Sequence, residues 1–313
     1  MTVLMKPSQL GQVRSYEQAP SRMELPRNGK KQPLIVPLGG GKPKAYTRVT
    51  TYIDVLEDKT NLSHYGERYV LAGVALQPTS LNRVMGLNPD DNEDKKVYKQ
   101  VAAQAKARAG QQDKADRGSH LHDLSEYVDR GETLPACSDE DMLDMAAYKM
   151  ATVMLDVRHI EQSVVVDENK TAGTPDRISF YDGLDPDGEP AGNLITDLKT
   201  GSVEYGAQKM AMQLADYSRG RLYDPSKFPV DVNDEAAFAA WKKTEFTAEQ
   251  AAAAYSELPN VNQRWGLIIH LPAGTGECTV YWINLAEGWR GVELAGEVRA
   301  WRRTKVMQPF TLA

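Results

Sequence analysis

Cysteine is nearly missing from this 313-residue chain, which holds only Cys137 and Cys278. Two thiols cannot build a disulfide framework, a four-cysteine zinc site or an all-cysteine iron–sulfur cluster, so any metal must be held by oxygen or imidazole. Long apolar runs are missing too. No window approaches the roughly 18 apolar residues of a membrane-spanning helix, and Lys6 and Pro7 stand where a signal peptide would carry its apolar stretch. The expectation is a cytoplasmic protein with no membrane partner. No nucleotide-binding loop is present either: around Gly40-Gly41-Lys42, Val36 and Pro43 occupy the places where that motif needs Gly and Ser or Thr. ATP-driven work is therefore excluded from the expected functions. The serine-hydrolase elbow Gly-x-Ser-x-Gly is absent, and Cys137, close to Asp139 and Glu140, has a setting that disfavours thiolate.

What remains is ordinary globular material, 41% hydrophobic and 26% charged, enough for a packed core. The net charge of −6 argues against nucleic acid only until it is divided along the chain. Residues 1–48 carry five Lys and four Arg against two Glu, a net of +7, which leaves −13 for the rest. That basic segment is rich in proline and contains Gly39-Gly40-Gly41. It reads as a flexible basic arm over residues 1–45, able to add salt-sensitive affinity for DNA. One folded domain is expected from 46 to 313: mainly helical over 46–155, a core over 156–225, then a helix, a hairpin and a C-terminal helix over 226–313.

Helical spacing predicts helices over Lys95–Ala109, Ser119–Arg130 and Ser138–Asp156, with Ser119 and Ser138 as N-caps. Val164-Val165-Val166, Ile178 with Phe180, and Leu194-Ile195 with Leu198 read as three strands separated by Gly173 and the turn Asp185-Pro186-Asp187-Gly188. A helix over Tyr205–Arg219 follows, Thr247 and Gln250 form a capping box, and Leu267–Leu271 with Thr279–Leu285 bracket a hairpin turn. Strands with a crossing helix give an α/β class, the first half packing as helices around the core.

The chemistry concentrates in Gly173-Thr174-Pro175-Asp176-Arg177-Ile178 and Ile195-Thr196-Asp197-Leu198-Lys199. Asp197 and Lys199 are two apart and project from one face of a strand. Two carboxylates at the ends of neighbouring strands suit a hard cation such as Mg²⁺ or Mn²⁺. Lys199 would then offset the charge that develops on a phosphodiester under attack by water.

Those residues, Asp176 followed by Asp197-x-Lys199, resemble the PD-(D/E)XK nuclease superfamily, and within it the RecB-like exonucleases common among phages. Gly118-Ser119-His120-Leu121-His122 is similar to the family's upstream helix motif, and Gln213-Leu214-Ala215-Asp216-Tyr217 to its Gln-x-x-x-Tyr motif. The resemblance, carried by residues 118–217, implies a central mixed β-sheet of the restriction-endonuclease-like type flanked by helices. It implies Asp176, Asp197, Lys199 and Glu161 as catalytic residues, with Glu161 placed at the opening of the preceding strand. It gives His122, Asp176, Asp197 and Leu198 as the metal set, with His120 competing for the place of His122. Gln213 and Tyr217, an i,i+4 pair on one helical face, would contact DNA or support the site. Tyr205, Arg177 and Lys209 would flank the DNA, and one of the five tryptophans in the last third could stack on a base.

The implied function is a metal-dependent DNA exonuclease of phage recombination, replication or repair, in the host cytoplasm if phage-encoded. Some members hold an iron–sulfur cluster, which two cysteines cannot supply. Processivity without a motor would require a partner or an encircling homo-oligomer, and a single-strand annealing protein is the implied co-worker. The alternatives are a nuclease-fold DNA-binding or scaffold protein without turnover, and a structure-specific endonuclease.

Overall fold

The turn Asp185–Gly188 joins the two longest strands of the structure. Asp185 Oδ1 accepts the backbone N–H groups of Asp187 (3.0 Å) and Glu189 (3.1 Å). A short carboxylate satisfying the turn's own amides reverses the chain tightly, and the two longest strands run back from it side by side. The structure, a computed structural model, describes residues 24–309. The described residues divide into two units, 24–56 with 124–309 and 57–123.

The larger unit opens with Leu34–Ile35 (β1), Lys44–Ala45 (β2), Thr47–Arg48 (β3) and the helix Val49–Ile53 (α1). The smaller unit contains Thr60–Leu76 (α2) and Asp94–Arg108 (α3), with Gly66, Gly73, Val101 and Ala105 buried on them. The division falls within Asp113–Arg130 (α4), after Asp123. Asp139–Ala151 (α5) and Leu155–Ile160 (β4) come next. Val164–Val166 (β5), Thr171–Gly173 (β6), Arg177–Leu184 (β7) and Pro190–Lys199 (β8) then lead to the helix Ala207–Tyr217 (α6). Arg221–Tyr223 (β9), Glu235–Trp241 (α7), Ala248–Ala252 (α8) and Tyr255–Glu257 (β10) precede the hairpin of Trp265–His270 (β11) and Thr279–Asn284 (β12). Leu285–Trp301 (α9) is the last helix among the described residues.

The result is a mixed α/β fold. One sheet has the order β12-β11-β8-β7-β4, antiparallel except where β11 runs parallel to β8. A second has the order β10-β9-β5-β6-β3, parallel only at β3 and β6. Period-two alternation sorts the first sheet's side chains. Ile178 and Ile195 are register partners and pack with Met210 and Leu214 of α6. Leu194, on the other face, packs with Leu155, Ala191 and Leu267. α9 lies so close to α6 that a Cβ on Gly288 would fall 2.2 Å from the carbonyl oxygen of Ala211.

Several local expectations meet the structure at the residue level. Ser138 caps α5 in a full capping box with Asp141, and Thr247 does the same for α8 with Gln250. Ser119 is not a cap. It lies inside α4, which begins six residues earlier with Asp113 and Asp116 in its first turn, where acidic side chains complement the helix dipole. The helix expected to reach Asp156 stops at Ala151, because Leu155 and Val157 are buried while Asp156 and Arg158 are exposed, a strand's alternation.

The expected loose arm is corrected in its second half; its first half, residues 1–23, lies outside the described residues. Leu25, Leu34, Ile35 and Val36 are buried in a core with Tyr46, Val165, Tyr223 and Phe228. Tyr223 Oη accepts the Val36 N–H (3.3 Å), and Tyr255 Oη donates to the Val36 carbonyl (3.0 Å). Proline and glycine density therefore marks irregular but packed backbone here.

Candidate functional site

Asp176 immediately precedes β7, and Asp197 and Lys199 close β8. Arg177 is the register partner of Thr196, so Asp176 and Asp197 meet at the same end of the paired strands. Alternation puts Asp176, Asp197 and Lys199 on the face that α6 covers, the face of Ile178 and Ile195.

Each group is held. Asp176 Oδ2 accepts the N–H of Leu198 at 2.8 Å, crossing directly from one strand to the other. Burial pushes the Asp176 carboxyl above its ordinary pKa; Arg177, Lys199 and the Leu198 N–H pull against that rise, and Glu126 adds to it. Asp197 is 2% exposed and forms an ion pair with Lys199. Burial alone would lower the lysine pKa, but Asp197 and Asp176 outweigh it and hold the ammonium above the ordinary value. Lys199 is therefore a cation at neutral pH, fixed between two acids and partly open to solvent.

Tyr217, buried on α6, completes this wall. Its hydroxyl is held in the neutral form by burial first and by Asp197 and Asp176 next, while the Thr174 N–H donates to it. A Cβ on Gly173 would lie 2.5 Å from Tyr217 Oη, so glycine is what lets the ring reach the strand ends. Gln213 is half-buried one turn earlier on the same helix.

The remaining expected residues divide. Leu198 is fully buried; its side chain has no donor, so only its main-chain oxygen could meet a cation. Glu161 does not open a strand. It follows the end of β4 in the left-handed conformation (φ 47°), with its N–H donating 2.9 Å to the Asp176 carbonyl oxygen, which places its backbone beside the site. His122 is half-buried on α4 within residues 57–123, and His120 is exposed. The site described here is built by the larger unit alone. Among the described residues no group of three or more His, Cys, Asp or Glu is arranged to hold a metal ion.

No protein-family model and no curated protein matches the chain. The reading of the site therefore rests on geometry.

Arg177 departs most from expectation. It does not flank a DNA channel but is 2% exposed, on the opposite face from Asp176. Its Nε donates to Asp129 and its Nη2 to Ser125 Oγ (2.5 Å), both on α4. Tyr148 of α5 donates to the same Asp129 carboxylate at 2.9 and 3.0 Å, and its ring lies 5.5 Å from the guanidinium carbon. The alternation that turns Asp176 toward α6 obliges its neighbour to face α4 and α5. Tyr205 is 84% exposed, and Lys209 is paired with Asp54 (3.3 Å). Trp241 is a core residue of the second sheet's cluster, and Trp301 is 70% exposed. Cys278 has its thiol pushed up to about 12 by burial and Asp144, which makes it a poor nucleophile.

Sequence reasoning missed Glu126. This residue of α4 is 4% exposed, pairs with Arg130 (2.6 Å) and acts electrostatically on Asp176. The signal was present: Glu126 follows His122 by four positions and so shares its helix face.

Proposed function

We propose that the chain is a divalent-metal-dependent deoxyribonuclease built on a restriction-endonuclease-like core. The observation that carries the reading is the convergence of Asp176, Asp197 and Lys199 at the paired ends of β7 and β8, on one face of the sheet. The flanking of that sheet by α6 on this face, and by Arg177's partners from α4 and α5 on the other, supports the fold. The donor set fits a hard cation: carboxylate oxygens, with Glu126 close enough to influence Asp176 and no thiolate in play. Asp176 and Asp197 would hold Mg²⁺ or Mn²⁺, which when bound supplies an activated water and screens the phosphate's charge.

The chain's own residues account for the rest. The Leu198 N–H fixes one Asp176 oxygen and so orients the carboxylate across the strand pair. Lys199 keeps its proton at Nζ and presents positive charge where a phosphodiester oxygen becomes more negative, a contribution worth roughly 100-fold or more in rate when the donor is preorganised. Tyr217 stays a neutral hydroxyl and closes the buried side of the acid pair. DNA is the proposed substrate and exonucleolytic hydrolysis the proposed mode, with a place in phage recombination, replication or repair beside a single-strand annealing protein.

The test is digestion of linear and of closed circular duplex DNA with Mg²⁺ or Mn²⁺ by the wild type and Lys199→Ala. Loss of the linear DNA, survival of the circle and an at least 100-fold slower Lys199→Ala are expected. Cutting of the circle would make the protein an endonuclease, and no cutting of either form would leave a DNA-binding or scaffold role.

A further inference from the structure

Positive charge gathers around α1 from two distant stretches of the chain. Between residues 25 and 53 there is no Asp or Glu, while Arg27, Lys30, Lys31, Lys42, Lys44 and Arg48 are all exposed. A second stretch without acids, residues 298–309, carries Arg299, Arg302, Arg303 and Lys305 at and beyond the end of α9. A helix dipole accounts for a cation in the last turn, which Arg299 supplies; it does not call for three more after it. In a chain whose residues 49–313 sum to −13, such gathering points to an anionic partner.

The fold brings the two stretches together beside the site. Arg48 directly precedes α1 and is the register partner of Ala172 on β6. Ala172 stands four residues before Asp176, so the Arg48 backbone lies within about 20 Å of the Asp176 backbone. Val49, the next residue, is buried with Tyr217, Ile178 and Ile195 on the face that carries the acids. At the other end of this short helix, Arg299 Nη1 donates to the Thr51 carbonyl (3.4 Å), and its guanidinium carbon lies 4.9 Å from the centre of the Tyr52 ring. Arg303, one turn further along, acts electrostatically on the same Tyr52, as does Glu168 with the opposite sign; Asp54, which follows α1, is paired with Lys209 (3.3 Å). Arg302 and Arg303 are exposed, and Trp301 beside them is 70% exposed. An indole left in water next to arginines suits a partner that offers flat rings as well as negative charge, and unpaired nucleic acid does so through its bases and phosphates.

We propose that Arg48, Arg302 and Arg303 bind the phosphates of single-stranded DNA beside the acid pair, with Trp301 stacking on one of its bases. The inference takes DNA as the ligand from the reading of that site given above. The occupant is a strand already parted from its complement, since stacking on an indole needs a base free of the duplex.

Fluorescence anisotropy of a labelled oligothymidylate of about 20 nucleotides, titrated with the full chain in EDTA at about 50 to 200 mM NaCl, tests it with metal-dependent cutting switched off. The pair Arg302→Glu, Arg303→Glu is expected to bind at least about 10-fold more weakly. It should also flatten the slope of log affinity against log salt by about 1.4, because each phosphate contact on a single strand contributes about 0.7. The pair Lys242→Glu, Lys243→Glu makes the same change in net charge at two other exposed cations and should leave affinity and slope as in the wild type. Arg48→Ala should flatten the slope by about 0.7. Trp301→Ala should weaken binding about 5-fold or more with the slope unchanged. Equal effects of the two charge-reversal pairs, or a Trp301→Ala variant that binds like the wild type, overturns the proposal. The outcome is separable from the nuclease reading: the expected losses of binding in a protein that never cuts DNA would keep this surface and remove the nuclease, and cutting without those losses would do the reverse.

Discussion

Replacing Asp129 with alanine removes the anchor of the buried network behind Asp176, and the structure sets the size of the effect. Arg177 is 2% exposed and Asp129 fully buried, so the guanidinium would keep its charge in the interior with no carboxylate beside it. Breaking a buried pair by deleting one partner costs about 3 to 5 kcal/mol. The Tyr148 hydroxyl, which donates to the same carboxylate, loses its acceptor as well and adds about 1 kcal/mol. The loss of stability should therefore be about 4 to 6 kcal/mol. With an m-value of about 3 kcal/mol per molar urea, the midpoint falls by about 1.3 to 2 M. All five tryptophans lie in the larger unit, so tryptophan fluorescence during urea unfolding reports on the part of the chain that holds the network. Combining Asp129→Leu with Arg177→Met removes both charges together and should cost clearly less than Asp129→Ala alone. A single-variant loss below 1 kcal/mol, or a double variant no better than the single, would refute the argument.

Three further outcomes follow from the same contacts. Gly288→Ala forces a Cβ against the Ala211 carbonyl and should destabilise by about 1 to 3 kcal/mol through separation of α9 from α6; an unchanged melting temperature would contradict that packing. Burial raises the Asp216 carboxyl to about 6 despite hydrogen bonds donated by Thr171 and Asn169. Because the folded state holds that proton after the unfolded state has released it, this group's contribution declines by about 3 kcal/mol as pH rises from about 4 to about 6 and is flat above, so Asp216→Asn should remove that slope from a urea-stability profile against pH. Glu126→Gln should lower metal-dependent DNA digestion about 10- to 100-fold with the fold intact by circular dichroism, and equal activity would remove Glu126 from the site.

Much of the site could be read from the chain because its signals are local. The Asp-x-Lys spacing fixes a common face on any strand, and the Asp185–Gly188 turn fixes which two strands pair. What escaped depends on partners distant in sequence. Leu34, Ile35 and Val36 sit among prolines and glycines, and their burial is set by Val165, Tyr223 and Tyr255, more than 120 residues further along. Arg177 looked like a surface cation because a strand end carries no mark of which face is covered; Asp129 and Tyr148, which decide the matter, lie 48 and 29 residues earlier. β4 was hidden because only residues 152–154 separate it from the end of α5.

The central claim is that Asp176, Asp197 and Lys199 act together on a phosphodiester in the presence of a divalent cation. Single-turnover digestion of an end-labelled linear duplex with Mn²⁺, comparing the wild type with an Asp197→Ala variant of unchanged circular dichroism, tests it most directly. The account predicts cutting by the wild type, abolished by chelation, and at least 100-fold slower cutting by the variant; equal rates for the two proteins, or cutting that survives chelation, would contradict it.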